Sequence, residues 1–245
     1  MRMLALAALL VLGLAGVAAP VRAEDRAYPG DPQVQALVER QLAGRDIKGV
    51  TVEVRAGDVT LTGTVPSVWS RNEAEWVAFK SRDVRSVANR LTVARGESDA
   101  AVGQEVARQV RRDVLYSVFD DVSVGVRDGQ VTLTGEVTAG YKADEIARIA
   151  SRVRGVQAVR NDIRALPVSP FDDQLRAAIA RRLFGDPMFE AYALQVPPPI
   201  HIVVENGRVT LTGAVGSEVE RVKASVDARQ VFGVMSVDNL LEVAS

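Results

Sequence analysis

The chain has 245 residues, 47% of them hydrophobic but only 5% aromatic, with 30 basic residues against 31 acidic, one histidine and no cysteine. A net charge of −1 leaves no surplus of Lys and Arg for neutralising phosphates, which argues against nucleic acid as a partner. Without cysteine there are no disulfides, thiolate metal sites or cysteine-anchored lipid.

In chain order, Arg2 precedes an uncharged run of Leu, Ala, Val and Gly from Leu4 to Ala19, broken by Pro20 and followed by Val21-Arg22-Ala23. This predicts a secretory signal peptide cut between Ala23 and Glu24; the run is short for a membrane anchor. No later run is long enough to span a bilayer, so the mature chain is expected to be soluble and outside the cytoplasm.

Asp31-Pro32 then reads as a helix start. Val50, Val52 and Val54 alternate with polar residues, as do Val59 and Leu61, around Ala56-Gly57: two strands joined by a tight turn, threonines outward. Gly63 is read as the end of the second strand. A helix and a third strand follow, over Val84-Arg85-Ser86-Val87-Ala88-Asn89-Arg90-Leu91.

The same order then recurs. Ser98 opens a helix, Asp128-Gly129 turns a hairpin ending Val131-Thr132-Leu133-Thr134-Gly135, and Tyr141, Ile146, Ile149, Ala150 and Val153 form an apolar helical stripe. Gly155-Val156 leads into Val159 and Asn161. In the third copy Ser169-Pro170 caps a helix, with Asp172 as a weak capping-box partner, and Leu175, Ile179 and Leu183 share a face. Asn206-Gly207 turns into Val209-Thr210-Leu211-Thr212-Gly213, and Gly233-Val234 leads to Val237 and Asn239. A phosphate loop is a poor reading of these glycines, because the first lies between two strands and no Gly-Lys-Ser follows. The expectation is an α+β protein of three tandem α-β-β-α-β units, each a three-stranded mixed sheet covered on one face by two helices. Their bounds are 24–97, 98–167 and 168–245, with Val87, Val159 and Val237 in the cores.

A hairpin ending in VTLTG, a helix, then GVxxVxN with an aliphatic residue resembles the BON domain, three times over; Asp83 replaces the glycine in copy one. A signal peptide ahead of tandem units resembles the osmotically inducible periplasmic proteins. The resemblance implies an exported phospholipid-binding or envelope-maintenance module, with no catalytic residues to carry over. The alternative is a protein-binding scaffold or stress chaperone without lipid contact.

Little else carries chemistry. His201, aligned with Thr51 and Ser123, reads as a solvated strand residue, since a catalytic triad needs an activated nucleophile beside it. Asp120-Asp121 and Asp172-Asp173 lack the spaced oxygen ligands of a calcium loop. No cofactor, metal or catalytic residue is expected, and no enzyme. The candidate contacts for lipid or partner are three groups of side chains. Trp76 and Phe79 fall in mostly polar columns. Arg148 and Arg152 share a helix face and suit phosphate oxygens. Phe184, Met188, Phe189 and Tyr192 lie in an insertion between Phe184 and Pro199, which either completes the third core or meets lipid.

Overall fold

The computed structural model describes residues 30–96 and 98–244; the signal-peptide reading lies outside them. Copy one runs α1 (Asp31–Gly44), β1 (Val50–Arg55), β2 (Asp58–Val65), α2 (Val68–Lys80) and β3 (Ser86–Val93). Copy two repeats this as α3 (Asp99–Arg112), β4 (Asp121–Arg127), β5 (Gln130–Val137), α4 (Gly140–Arg152) and β6 (Ala158–Ala165). Copy three runs α5 (Pro170–Phe184), a short α6 (Glu190–Ala193), β7 (Ile200–Glu205), β8 (Arg208–Val215), α7 (Glu218–Arg229), β9 (Ser236–Asn239) and β10 (Glu242–Val243). In each copy the hairpin is antiparallel and its second strand pairs in parallel with the last, so β2, β5 and β8 are central.

Each first helix buries aliphatic residues four apart: Val34, Val38 and Leu42; Val102, Val106 and Val110; Leu175, Ile179 and Leu183. That spacing keeps them on one stripe. Each second helix places an alanine with no exposed surface against the sheet, at Ala78, Ala150 and Ala228. The asparagine of VxN ties helix to strand: Asn89, Asn161 and Asn239 donate Nδ2 to the carbonyls of Arg71, Ala143 and Arg221.

The hairpin turns have positive φ at both central residues, 51° and 74° at Asp128-Gly129 and 52° and 75° at Asn206-Gly207, as a two-residue hairpin requires. A carboxylate from the first helix holds every one of these turns. Asp31 accepts from the backbone N–H of Ala56 and Gly57, Asp99 from Asp128 and Gly129, and Asp172 from Asn206 and Gly207, all at 2.7–3.0 Å.

Several expectations are corrected here. Gly30, not Asp31, is the N-cap of α1; Ser169 caps α5 as expected, accepting from the Asp172 N–H, but the Asp172 carboxylate goes to the hairpin and does not complete the box. Gly63 does not end its strand, since β2 runs on to Val65; a Cβ at Gly63 would collide with the carbonyl oxygen of Gly49. Tyr141 leaves the apolar stripe and is 61% exposed; Ala143 takes its place inside. Val87 and Val159 are half-buried, packed against the edges of their cores, whereas Val237 is buried. Thr212 also departs from the outward reading, with a buried hydroxyl lacking a partner among the described residues.

Candidate functional site

The copies meet at two junctions. Between copies one and two, Val68 N–H donates to Val156 O and Gly155 N–H donates to Pro66 O, both at 2.9 Å. Val68 is buried in the core of copy two. Gln157 Nε2 donates to the carbonyls of Val93 and Ala94. Between copies two and three, Ile202 N–H donates to Val118 O at 2.7 Å, and Phe119 packs on the third core.

Of the predicted contacts, Trp76 and Phe79 stand out from α2, 49% and 60% exposed. Arg45 lies over the Trp76 ring, 5.1 Å from its centroid, and is held there by Glu73. A surface groove beside them is lined by Trp76, Phe79, Val87 and Arg85, with Asn72, Glu75 and Ser86. Arg148 is paired with Glu145, and Arg152 lies 4.6 Å over the ring of Trp69 in copy one. Both guanidiniums thus have partners inside the chain, Arg152 at the first junction.

The insertion divides. Phe189 has no exposed surface and belongs to the third core, which corrects its reading as a surface contact. Phe184 and Tyr192 pack against that core, and the Tyr192 hydroxyl lies within hydrogen-bond reach of both Glu220 and Gly216 N–H. An aromatic run in a chain poor in aromatics went to fill the longest helix-to-strand gap. Met188 alone of the four is exposed, at 40%.

His201 is also corrected. It stacks on Tyr116 of copy two, ring centroids 5.6 Å apart, and its buried Nδ1 has no partner among the described residues. Burial depresses its pKa below 6.5, against the pull of the nearby Asp121 and Asp120 charges. Burial likewise pushes the Tyr116 phenol well up. Asp120 is fully buried, which would raise its pKa, but Lys142 at 2.7 Å and donors from Thr138 and Ser117 hold it below the usual value. It is a satisfied structural ion pair. Among the described residues no three His, Asp or Glu side chains are grouped to hold a metal ion.

Sequence reasoning missed an apolar face on copy three. Val219, Val222 and Val226 of α7 are 66%, 52% and 40% exposed, and Phe232 and Met235 beyond it are 99% and 77% exposed. The signal was present: Val222 and Val226 align with Asp144 and Arg148 of copy two, a change from charge to aliphatic on a solvent face.

The model of the BON domain family matches residues 30–95, 98–167 and 171–245. Osmotically-inducible protein Y of Escherichia coli strain K12 is 30% identical over 154 residues, covering 59% of this chain and 72% of that protein. An uncharacterized protein in the gshII 5' region of Anaplasma centrale is 31% identical over 141 residues, 55% of this chain and 93% of that one. Among solved structures, the C-terminal domain of CdsD, a structural protein of the type III secretion system of Chlamydia trachomatis, is similar at 16% identity and a TM-score of 0.26. That match covers 86% of this chain and 96% of that one. The periplasmic domain of PrgH is similar at 12% identity and a TM-score of 0.22, covering 83% and 100%. Scores this low carry no functional implication.

Proposed function

The chain belongs to the BON-domain family, and on that premise we propose that it is an exported, non-enzymatic module that binds the phospholipid surface of the cell envelope through copy one. The observation that carries this reading is the exposed Trp76–Phe79 pair beside Arg45 and Arg85. Tryptophan favours the boundary between headgroups and acyl chains, and a neighbouring guanidinium suits a phosphate oxygen. A chain with 5% aromatics leaves two large rings in solvent, three residues apart on one helical face.

Export with removal of residues 1–23 and a role in envelope maintenance or osmotic stress belong to the same proposal. Similarity to osmotically-inducible protein Y supports the osmotic-stress part of it. No helix among the described residues is long and apolar enough to cross a membrane, so contact would be made from the surface.

Co-sedimentation with vesicles of neutral and anionic phospholipid tests the reading. The parent is expected to pellet with anionic vesicles. Trp76→Ser/Phe79→Ser is expected to bind at least about tenfold more weakly and to melt like the parent, because both rings are exposed. A parent that stays in solution at every lipid composition removes the lipid reading and leaves the protein scaffold.

A further inference from the structure

At the second junction, the stretch that precedes one unit's first strand docks on the edge of the next unit's first strand. Tyr116 and Val118 stand six and four residues before Val122. Tyr116 stacks on His201 of β7, and the Val118 carbonyl accepts from Ile202 N–H. An edge strand presents backbone groups that its own sheet leaves unpaired, and a loop carbonyl satisfies one of them.

Copy three carries the same stretch with nothing to dock on. Ile200 holds the place of Val122, each opposite the glycine that ends VTLTG. Leu194 and Val196 stand six and four residues before it. They are 81% and 96% exposed, and the Val196 carbonyl accepts no hydrogen bond among the described residues. Two aliphatic side chains thus lie in solvent where Tyr116 and Val118 make the second junction.

Copy one carries the complementary part. Val52 pairs with Leu61 as Ile202 pairs with Leu211. Its N–H therefore points away from β2, as that of Ile202 points away from β8. Among the described residues nothing accepts from it at that edge. Thr51, in the place of His201, is exposed. Val50 and Val54 are only half-buried, where Ile200 and Val204 have no exposed surface. The remaining first strand, β4, lies against β7, so copy three already stands beside it. The free loop and the free edge sit on copies three and one, which share no hydrogen bond within the chain among the described residues.

We propose that the stretch Leu194–Val196 of one chain docks on the β1 edge of a second copy of this chain, joining copy three head to tail with copy one. The contact repeats between chains the loop-on-edge contact that joins copies two and three within the chain. Two unlike surfaces meet, so each chain keeps one of each to offer and assembly can pass beyond two chains. It does not depend on the lipid reading, because the Trp76 groove is lined by Val87 of β3, at the opposite edge of that sheet.

Sedimentation velocity across the micromolar range tests it with two variants. The parent is expected to assemble as concentration rises. Leu194→Asp/Val196→Asp removes the loop contact, and Thr51→Lys places a charge on the edge. Each alone is expected to raise the dissociation constant at least about tenfold and to melt like the parent, because all three side chains are exposed. Should Thr51→Lys fail to fold, Glu53→Lys on the same exposed face is read in its place. The two variants mixed are expected to form a one-to-one dimer that neither forms alone, since one supplies an intact edge and the other an intact loop. A parent that stays monomeric throughout overturns the proposal. Assembly that either folded variant leaves intact, or a mixture that stays monomeric, overturns it equally.

Discussion

Where copy one meets copy two, backbone meets backbone: Gly155 N–H reaches Pro66 O, Val68 N–H reaches Val156 O, and Val68 enters the neighbouring core. Where copy two meets copy three, a loop carries the contact. Residues 113–120, the stretch that lengthens copy two relative to copy one, place Tyr116 on His201, Val118 on Ile202 and Phe119 on the third core. Three units of one fold are thus joined in two unlike ways. The repeat dictates the interior of each unit, because sheet, turn and helix stripe must satisfy the same internal geometry every time. It does not dictate the junction, which depends on surface residues that each copy is free to change.

Glycine substitutions probe the first junction most sharply, because Gly155 lies in it while Gly233, its counterpart in copy three, faces only its own unit. Both Gly155 and Gly233 have positive φ, 89° and 97°, so alanine at either carries backbone strain of about 1–3 kcal/mol. At Gly155 the new Cβ would also come within 2.6 Å of Gly96 Cα, whereas at Gly233 it meets the Phe171 ring at 3.1 Å. A ring yields where backbone does not. Gly155→Ala should therefore lose at least about 1 kcal/mol more than Gly233→Ala in chemical denaturation. Equal losses would mean that the first junction is looser than described.

The second junction breaks at Phe119. Because that ring is only partly buried, Phe119→Ala should destabilise copy three by about 2 kcal/mol, below the range for a fully buried phenylalanine. Limited proteolysis should then cut near residues 166–169 while copies one and two stay joined. A melt unchanged from the parent would place the joining energy elsewhere.

A smaller effect distinguishes the junctions by pH. Folded His201 has its pKa depressed below 6.5. Above that value the folded and unfolded forms are both neutral and nothing is lost. As pH falls through it, the unfolded chain binds a proton that the buried imidazole resists, so stability declines until the folded imidazole also protonates. His201→Ser, the residue of copy two, should flatten the slope of stability between about pH 5 and 7. Asp120, with its pKa held below 3.8, acts in a separate window: its contribution is present above that value and fades as pH falls through the folded pKa. An unaltered slope in the serine variant would detach His201 from the junction's response to pH.

The smallest change comes at Arg164, which bridges Glu136 and Glu205 across the second junction at 2.7–2.9 Å. All three side chains are partly exposed, so Arg164→Ala should cost no more than about 1 kcal/mol. The loss should shrink further in high salt. A salt-independent loss would show that packing, not charge, acts there.

Much of the unit was legible in the sequence. Asp-Gly and Asn-Gly announce the hairpins, and aliphatic residues four apart announce the first helices. The carboxylate that holds each turn was not, because it lies 26, 30 and 35 residues before the turn glycine and insertions blur the column. Its signal is local: Asp31, Asp99 and Asp172 each stand three residues before the first buried aliphatic of their helix. The junctions and their residues were hidden for another reason. Val68, Tyr116 and His201 follow no period, and a residue buried by a neighbouring unit looks like a surface residue in its own. Of the candidate contacts, exposure at Trp76 and Phe79 could be read from polar columns, while Phe189, which has no column in the other copies, could not.

Lipid contact through copy one is tested most directly by tryptophan quenching. With Trp69→Phe, Trp76 is the single emitter, since the chain holds two tryptophans. Vesicles of brominated anionic phospholipid should quench its emission and shift it to shorter wavelength, as the ring enters the boundary between headgroups and acyl chains. Emission that stays unquenched and unshifted while the protein sediments with those vesicles would contradict the account, placing the contact elsewhere on the chain.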